Sequence, residues 1–548
     1  MKTEHQIELT NKIEHQMGIH STEVLALWQT YDYLMDKNIV VEFWDKIKDA
    51  PAILIVGDYD VDGVCSSYIM SKAIKNIYPN IPVSIRIPKR FSEGYGINPK
   101  ISEEIQRKLP KGSLIVTVDN GIAAAPVLED LKAKGYNVIV TDHHELGNNK
   151  IPDVDMVINP KAQPDKPIFQ GDYWCGAAVA YKIAEQMVSD SLKKELECFA
   201  GIATVADCMP LIEGNWGLVR RTMLNIREYK APDSVLDLLK GLKQNPEALI
   251  EDSLGFYLCP AINAPGRLYD DGAKISLDYF LKPTKEKCER LVNENIKRRE
   301  LRDGQLELLK QDIIEQGLNE NCPIWVYRPG LHEGIVGILA GNIAEEYKVP
   351  AIVLTDSETE GIIKGSARSA GNINIFNYLS EFSEYFKGFG GHAGAAGLSL
   401  PLENLNKIKL SPKYQIERPN EDGHSNQIIM DIDMREIKDM ADVNEEFRPF
   451  GEGNNPPKFR VEANLNNDLY KMVGTPPVHL QISDPLKQFK VMHFFHEPNE
   501  LKNDKEFSLT GQIHYDVYKG LHTAALVADE MDEPEEPDFM MAHTDRDL

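Results

Sequence analysis

Three aspartates, Asp58, Asp60 and Asp62, stand at alternate positions in IVGDYDVDG, residues 55–63. Ionised carboxylates this close repel one another, so they either shift upward in pKa or hold cations between them. Comparable groups recur along the chain. LIVTVDNG runs into Asp119, VIVTDHHE into Asp142, His143 and His144, and ATVADCMPL into Asp207. Carboxylates joined by one or two imidazoles suit Mn2+ or Mg2+, whereas zinc favours more sulfur or nitrogen ligands. Two such ions about 4 Å apart clamp the attacking and leaving oxygens of a phosphate ester and lower the pKa of a bound water. A single DxD or HH is an ordinary turn or capping feature. Recurrence after four apolar runs is what points to metal-bound phosphate chemistry.

These groups need elements that bring them to one place. AILIV (52–56), SLIVTV (113–118), NVIVT (137–141) and DMVIN (155–159) are short β-rich runs alternating with helical patterns, which predicts an α/β domain with a mainly parallel sheet. Ligands of such sheets bind beyond the carboxyl ends of the strands, where AILIV leaves its aspartates. The expectation is that all four groups, Asp207 included, follow strands of this one domain. Residues 1–50 read as a helical segment closed by Pro51, and residues 285–318 as a long connecting helix. A second α/β segment covers 319–403, and 402–426 is polar and turn-rich. Five short runs from KFRVEANL to HTAALVA then predict a small β-barrel over 427–528.

A chain of 548 residues is too long for one ordinary core and should form three or four domains. Its hydrophobic fraction of 42% and charged fraction of 26% are those of a globular protein. No apolar run approaches the roughly 18–20 residues needed to span a bilayer, and MKTEHQIELT lacks the apolar core of a signal peptide, so a cytoplasmic location is expected. The seven cysteines are scattered without a CxxC pair and read as reduced thiols. A net charge of −25 taken alone argues against a nucleic-acid partner. Residues 529–548, however, hold nine acids against Arg546 and read as a disordered acidic tail. Cation-filled carboxylates lower the effective charge further, so bulk charge does not decide the partner.

GDYDVDG, VDNG, TDHH and ATVADCMPL resemble the successive motifs of the DHH phosphoesterase superfamily, named for the Asp142-His143-His144 triplet. The resemblance narrows to the RecJ single-strand-specific exonucleases through PKRFSEGYG (88–96), CGAAVAYKIA (175–184), INAPGRL (262–268), LHEGIVGILAGNIAEEYKVPAIVL (331–354), GSARS (365–369), GFGGHAGAAG (388–397) and PFGEGNNPPKF (449–459). It covers roughly residues 50–530 and leaves out the acidic tail.

The resemblance implies a DHH catalytic domain over 51–284, a DHH-associated domain over 319–403 and an oligonucleotide-binding barrel. It implies two Mn2+ or Mg2+ ions held by Asp60 and Asp62, with Asp58 as a further candidate, Asp119 as bridging ligand, His143 as direct ligand and Asp207 as an additional one. Asp142 and His144 would support these ligands or contact the scissile phosphate. Arg90, Arg267, Ser366 and Arg368 would hold a 5′-terminal phosphate, with Gly391 and His392 against a nucleotide phosphate. Tyr515, Tyr518, Phe494 and Lys519 would meet the strand on the barrel. The implied activity is 5′-to-3′ hydrolysis of single-stranded DNA to mononucleotides in repair or recombination, with single-strand-binding protein or other replication and repair proteins as partners. Two alternatives stay open: a DHH phosphodiesterase acting on short oligonucleotides or cyclic dinucleotides, and a non-catalytic DHH replication subunit. The first is typically shorter and lacks PFGEGNNPPKF, and no clear loss of ligands favours the second. Val61, where alanine is common, and Pro265, where a small residue is usual, are the visible departures.

Overall fold

The computed structural model describes residues 3–17, 35–147, 149–162, 173–419, 429–464, 470–474, 479–486, 488–494, 506–518 and 521–532. They form two compact units, a larger one from 32–209 and 221–425 and a smaller one from 1–31, 210–220 and 426–548.

In the larger unit, β1 (Ile53–Val56), β2 (Val83–Arg86), β3 (Leu114–Val118), β4 (Asn137–Thr141) and β5 (Met156–Ile158) make a wholly parallel sheet in the order β2-β1-β3-β4-β5. Every residue of β1 and β3 is buried, which is why both read as unbroken aliphatic runs rather than alternating ones. The chain winds outward from β1 in both directions, leaving a crevice at the carboxyl ends of β1 and β3. Helix Val61–Ile77 follows β1 at once, and its N-cap Asp60 accepts a hydrogen bond from Gly63 N at 2.9 Å.

The connecting helix, Lys285–Glu315, has 31 residues and is therefore about 46 Å long. Leu309 and Ile313, near its end, enter the core beneath a second sheet. That sheet comprises β6 (Ile324–Tyr327), β7 (Ala351–Asp356), β8 (Ile362–Arg368), β9 (Gly388–His392) and β10 (Ala395–Pro401), in the order β6-β7-β8-β10-β9. β6 and β7 run parallel and the other pairs antiparallel. Trp325, Phe382 and their neighbours fill a separate cluster of the same sheet.

The smaller unit holds β11 (Ile429–Asp431), β12 (Lys458–Asn464), β13 (Tyr470–Val473), β14 (His479–Ser483), β15 (Phe489–His493), β16 (Glu506–Tyr518) and β17 (Leu521–Asp532). Their order is β11-β12-β16-β17-β15-β14-β13, so among the described residues the sheet has two free edges and is barrel-like without closing. Leu9 and Ile13 from helix Glu4–Met17, together with Trp216 and Phe447, complete its core. The expected acidic tail starts later than 529. Asp529 and Glu530 belong to β17, where Lys458 pairs with them at 2.9 and 2.8 Å, and residues 533–548 lie outside the described residues. Among the described residues no helix is long and apolar enough to cross a membrane.

Candidate metal centre and phosphate site

Parallel strands present all their carboxyl ends on one edge. Asp58, two residues past β1, Asp119, directly after β3, and Asp142, His143 and His144, directly after β4, therefore meet there. Asp58 and Asp119 sit where the strand order reverses. Asp207 arrives differently from the expectation: it caps the C-terminus of helix Asp190–Ala206, and ATVA is the last turn of that helix rather than a strand. So short an apolar run carries no period that separates helix from strand. Three sets of ligand atoms each gather within 4.8 Å: Asp119, His143 and His144; Asp62, His143 and Asp207; and Asp58, Asp60 and Asp119. Asp119 and His143 belong to two sets apiece, so the sets adjoin through shared side chains. His143 Nε2 stands 3.1 Å from Asp119 Oδ1 and 3.6 Å from both Asp62 Oδ2 and Asp207 Oδ2.

The electrostatics of this cluster are unfavourable to it as protein alone. Burial first, and then the charges of Asp62, Asp60 and Asp207, push Asp119 well above the usual carboxylate range. Burial and Asp60 do the same to Asp58, burial and Asp62 raise Asp60, and burial with Asp62 and Asp60 carries Asp207 to about 8. Burial drives His143 down to about 4, leaving a neutral imidazole with a lone pair to give. Both ring nitrogens of His143 and Asp119 Oδ1 are buried without a hydrogen-bond partner. Unpartnered oxygen and nitrogen acceptors converging in this way fit a divalent cation, and an oxygen-rich set with imidazole fits Mn2+ or Mg2+.

Asp142 has a different part. It accepts from Ile122 N at 2.9 Å, His143 N at 2.7 Å and His144 N at 3.2 Å, and its Oδ1 lies 2.8 Å from His144 Nδ1. Although burial opposes ionisation, the His144 contact and these donors hold Asp142 below its ordinary value. In return, and again against burial, Asp142 raises His144 to about 9. Asp142 thus favours the protonated form of His144, whose side chain is 43% exposed at the mouth of the cluster.

A second group lies beside the first. The Arg90 guanidinium sits 4.5 Å over the ring of Tyr59, which separates Asp58 from Asp60 in the chain. Tyr59 and Arg90 line a cavity of about 430 Å³ with Gly337, Lys364, Ser366 and Ser399 among others. Arg368 Nη1 donates to Ser366 Oγ at 2.7 Å, and both side chains pack against Gly337 in the first turn of helix Val336–Tyr347. Arg267 Nη1 donates to Gly334 O at 3.3 Å, just before that helix. Burial and the charges of Arg90, Arg298 and Arg368 lower Arg267 to about 9. Among the described residues none of these four arginines forms an ion pair with a carboxylate; their contacts are to Tyr59, Gly334, Asn295, Ser366 and Ala367. Glu333, paired with Lys364, also lines the cavity, and Asp58 and Asp60 act on Arg90 and Arg267 from the neighbouring cluster. Yet among the described residues no carboxylate makes an ion pair with these guanidinium groups, which together with the helix N-terminus favour an anion.

Of the arginines only Arg90 lines this cavity; Arg267, Arg368, Gly391 and His392 lie outside its lining, although Gly388 and Gly397 of the glycine-rich motif belong to it. Gly391, at φ 152, lies so close to β10 that a Cβ would come within 2.3 Å of Ala395 O, and it serves the hairpin. His392 is exposed on edge strand β9. It pairs with Ala395, which pairs in turn with Arg368, so two strand spacings of about 10 Å separate His392 from Arg368. In the smaller unit Tyr515 donates to Asp442 and packs on the core, while Phe494 is 41% exposed beside His479. Lys519 and the side chain of Tyr518 lie outside the described residues.

Four further residues, Gly176, Ala177, Asn120 and Tyr95, support the site without a residue type that marks them in the sequence. Gly176 N and Ala177 N, opening helix Gly176–Ala184, donate to the Asp62 carboxylate at 2.6 and 2.7 Å. Asn120 donates to Val56 O at 2.9 Å and Val118 O at 2.8 Å, tying the ends of β1 and β3 together. Tyr95 donates its hydroxyl to Asp119 O at 2.9 Å and stands 3.0 Å from His144 Nδ1. The only available signals were the neighbours of recognised motifs, CGAA, VDNG and EGYG.

Comparison with known proteins agrees with this geometry. The DHH family N-terminal domain matches residues 52–209 and the DHHA1 domain residues 321–411. The single-stranded-DNA-specific exonuclease RecJ of Bacillus subtilis strain 168 is 31% identical over 456 residues, covering 80% of this chain and 56% of that protein. The Salmonella typhimurium RecJ is 31% identical over 370 residues, 62% of this chain and 61% of that one. The chain thus spans about three fifths of the length of these relatives. Its fold is that of RecJ from Thermus thermophilus, crystallised in complex with Mn2+, with a TM-score of 0.76, 22% identity, and coverage of 96% of this chain and 76% of that one. With a DHH domain bearing the carboxylate edge and a DHHA1 domain bearing the second sheet, the chain carries both domains in order, and the relatives it resembles in sequence are RecJ proteins.

Proposed function

We propose that this chain is a two-metal exonuclease that removes mononucleotides from the 5′ end of single-stranded DNA. The observation that carries the reading is the adjacency of two groups: a carboxylate–imidazole cluster with unpartnered buried atoms, and arginines that form no ion pair with a carboxylate among the described residues, joined through Tyr59. A terminal phosphate held by Arg90, Arg267, Ser366 and Arg368 leaves the next phosphodiester beside the carboxylates. Asp58, Asp60, Asp62, Asp119, His143 and Asp207 would hold two Mn2+ or Mg2+ ions, the ions named for the Thermus thermophilus RecJ crystals. Bound there, such ions acidify a water and stabilise charge on phosphate. The protein's own part is positional and electrostatic. Asp142 favours the protonated form of His144, which donates to a non-bridging oxygen of the scissile phosphate, Asp62 is held by the helix at Gly176, and the arginines set polarity by engaging the chain end. No covalent enzyme intermediate is required.

The catalytic domain is taken as 51–284, the connecting helix as 285–318, the DHH-associated domain as 319–403, and 427–528 as a further surface for the strand. A cytoplasmic location, and single-strand-binding protein or other replication and repair proteins as partners, belong to the same proposal. The test is a gel time course on 3′-labelled, 5′-phosphorylated single-stranded DNA with Mn2+ or EDTA, using wild type and Asp119→Ala. Metal-dependent shortening from the 5′ end that vanishes in the variant is the expected result. Cleavage of dinucleotides with survival of long strands would replace the reading with the short-oligonucleotide phosphodiesterase, and binding without cleavage would replace it with the non-catalytic subunit.

A further inference from the structure

Arg90 is carried on irregular backbone between β2 and helix Pro99–Lys108, and a guanidinium on such a segment binds well only if something fixes the segment. The fixing group is Asp270, which follows the helix Cys259–Leu268 that ends in Arg267 and Leu268. One carboxylate oxygen of Asp270 accepts from Phe91 N at 2.8 Å and Ser92 N at 3.0 Å, and the other accepts the Ser92 hydroxyl at 2.6 Å. Its carbonyl accepts from Arg90 N at 2.9 Å. Three consecutive residues of the Arg90 segment are therefore bound to one residue that lies 179 positions from Phe91 in the chain. His332 closes the same bracket, with Nε2 3.2 Å from Leu268 O and its ring edge-on to Phe91 at a centroid separation of 5.8 Å. Asp270 itself does not line the arginine cavity.

We propose that Asp270 is the positioning residue of the terminal-phosphate site. Its carboxylate holds the Arg90 segment so that Arg90 and Arg267 face one anion, and it thereby sets the preference for 5′-phosphorylated over 5′-hydroxyl ends. The proposal rests on reading the arginines as a phosphate site. In Asp270→Ala both N–H donors and the hydroxyl lose their acceptor. In Asp270→Asn the amide oxygen still accepts both N–H groups and the amide N–H can donate to Ser92 Oγ, so geometry survives without the charge.

Two measurements on the full chain separate this from a merely structural staple. The first is calorimetric titration with inorganic phosphate in EDTA, where the arginines alone can answer; the second is kcat and KM on 5′-phosphorylated and 5′-hydroxyl strands in Mn2+. Asp270→Ala should weaken phosphate binding about tenfold and cut the 5′-phosphate preference by a similar factor through KM, with kcat on 5′-hydroxyl strands little changed. Asp270→Asn should stay within about twofold of wild type in both. If Asp270→Ala does not fold, Ser92→Ala, which removes one of the three carboxylate contacts, should shift both readings in the same direction by a smaller factor. Unchanged phosphate affinity and end preference in a folded variant overturn the proposal, as does wild type that binds no phosphate. Wild type that binds phosphate, loses it in Asp270→Ala and cleaves no DNA supports Asp270 and overturns the exonuclease reading alone.

Discussion

Asp119 is held in the left-handed region at φ 60, a strain of roughly 1 kcal/mol or more for a residue with a Cβ, and it is buried beside other carboxylates. Its surroundings make the metal-free protein sensitive to pH in a definite direction. Asp207 has an ordinary value of 3.8 and is raised to about 8 in the fold, and burial with neighbouring carboxylates moves Asp58, Asp60 and Asp119 in the same direction. The native state then keeps protons that the unfolded chain has released, so stability falls as pH rises from about 4 through about 8. Divalent cations replace those protons and reverse the loss. Differential scanning fluorimetry in EDTA should show Tm declining between pH 5 and pH 8, and Mn2+ should flatten the curve. Asp119→Asn should raise Tm in EDTA near neutral pH while abolishing cleavage. An EDTA profile as flat as the Mn2+ profile would remove this account of the cluster.

At the scale of elements, the helix Gly176–Ala184 does as much for the site as the strands do. Its first two amides hold Asp62, and its first residue passes so close to Asp119 that a Cβ on Gly176 would lie 2.6 Å from the Asp119 Cβ. Gly176→Ala must therefore push either the helix or Asp119 aside. Disturbing the support of a ligand typically weakens metal binding by about 10–100-fold, and titration of Mn2+ into this variant should show a loss in that range. Wild-type affinity in Gly176→Ala would mean that Asp119 has slack the packing does not suggest.

At the scale of the molecule, the two units are not consecutive halves of the chain. The smaller one draws residues 210–220 from the middle of the sequence, where Trp216 donates to Phe447 O at 3.1 Å and Leu211 N to Glu452 O at 2.7 Å. A truncation after residue 425 removes β11–β17 and leaves Leu9, Ile13 and Trp216, all fully buried, without their core. Each such side chain contributes about 1.5–3 kcal/mol when buried, so the truncated chain should aggregate or show red-shifted tryptophan emission. A monodisperse truncation product with unchanged emission would show that 210–220 can pack elsewhere.

Much of this was legible in the sequence for a local reason. A strand followed at once by an acid places that acid at the carboxyl edge of any parallel sheet, so Asp58, Asp119 and the Asp142-His143-His144 triplet could be assigned to one edge before the fold was known. The long helix Lys285–Glu315 was legible through its unbroken helical composition, and the arginines only through the family resemblance. The tertiary structure decided what no short window contains. It showed that Asp207 ends a helix, that Asp119 and His143 are each shared by two ligand sets, and that Asp142 faces His144 and favours its protonated form. It also put His392 in register with Arg368 across Ala395 and brought Asp270 to the Arg90 segment. Periodicity and end signals determine which face and which end of an element a side chain occupies, whereas which distant segment it meets depends on the packing of the whole chain.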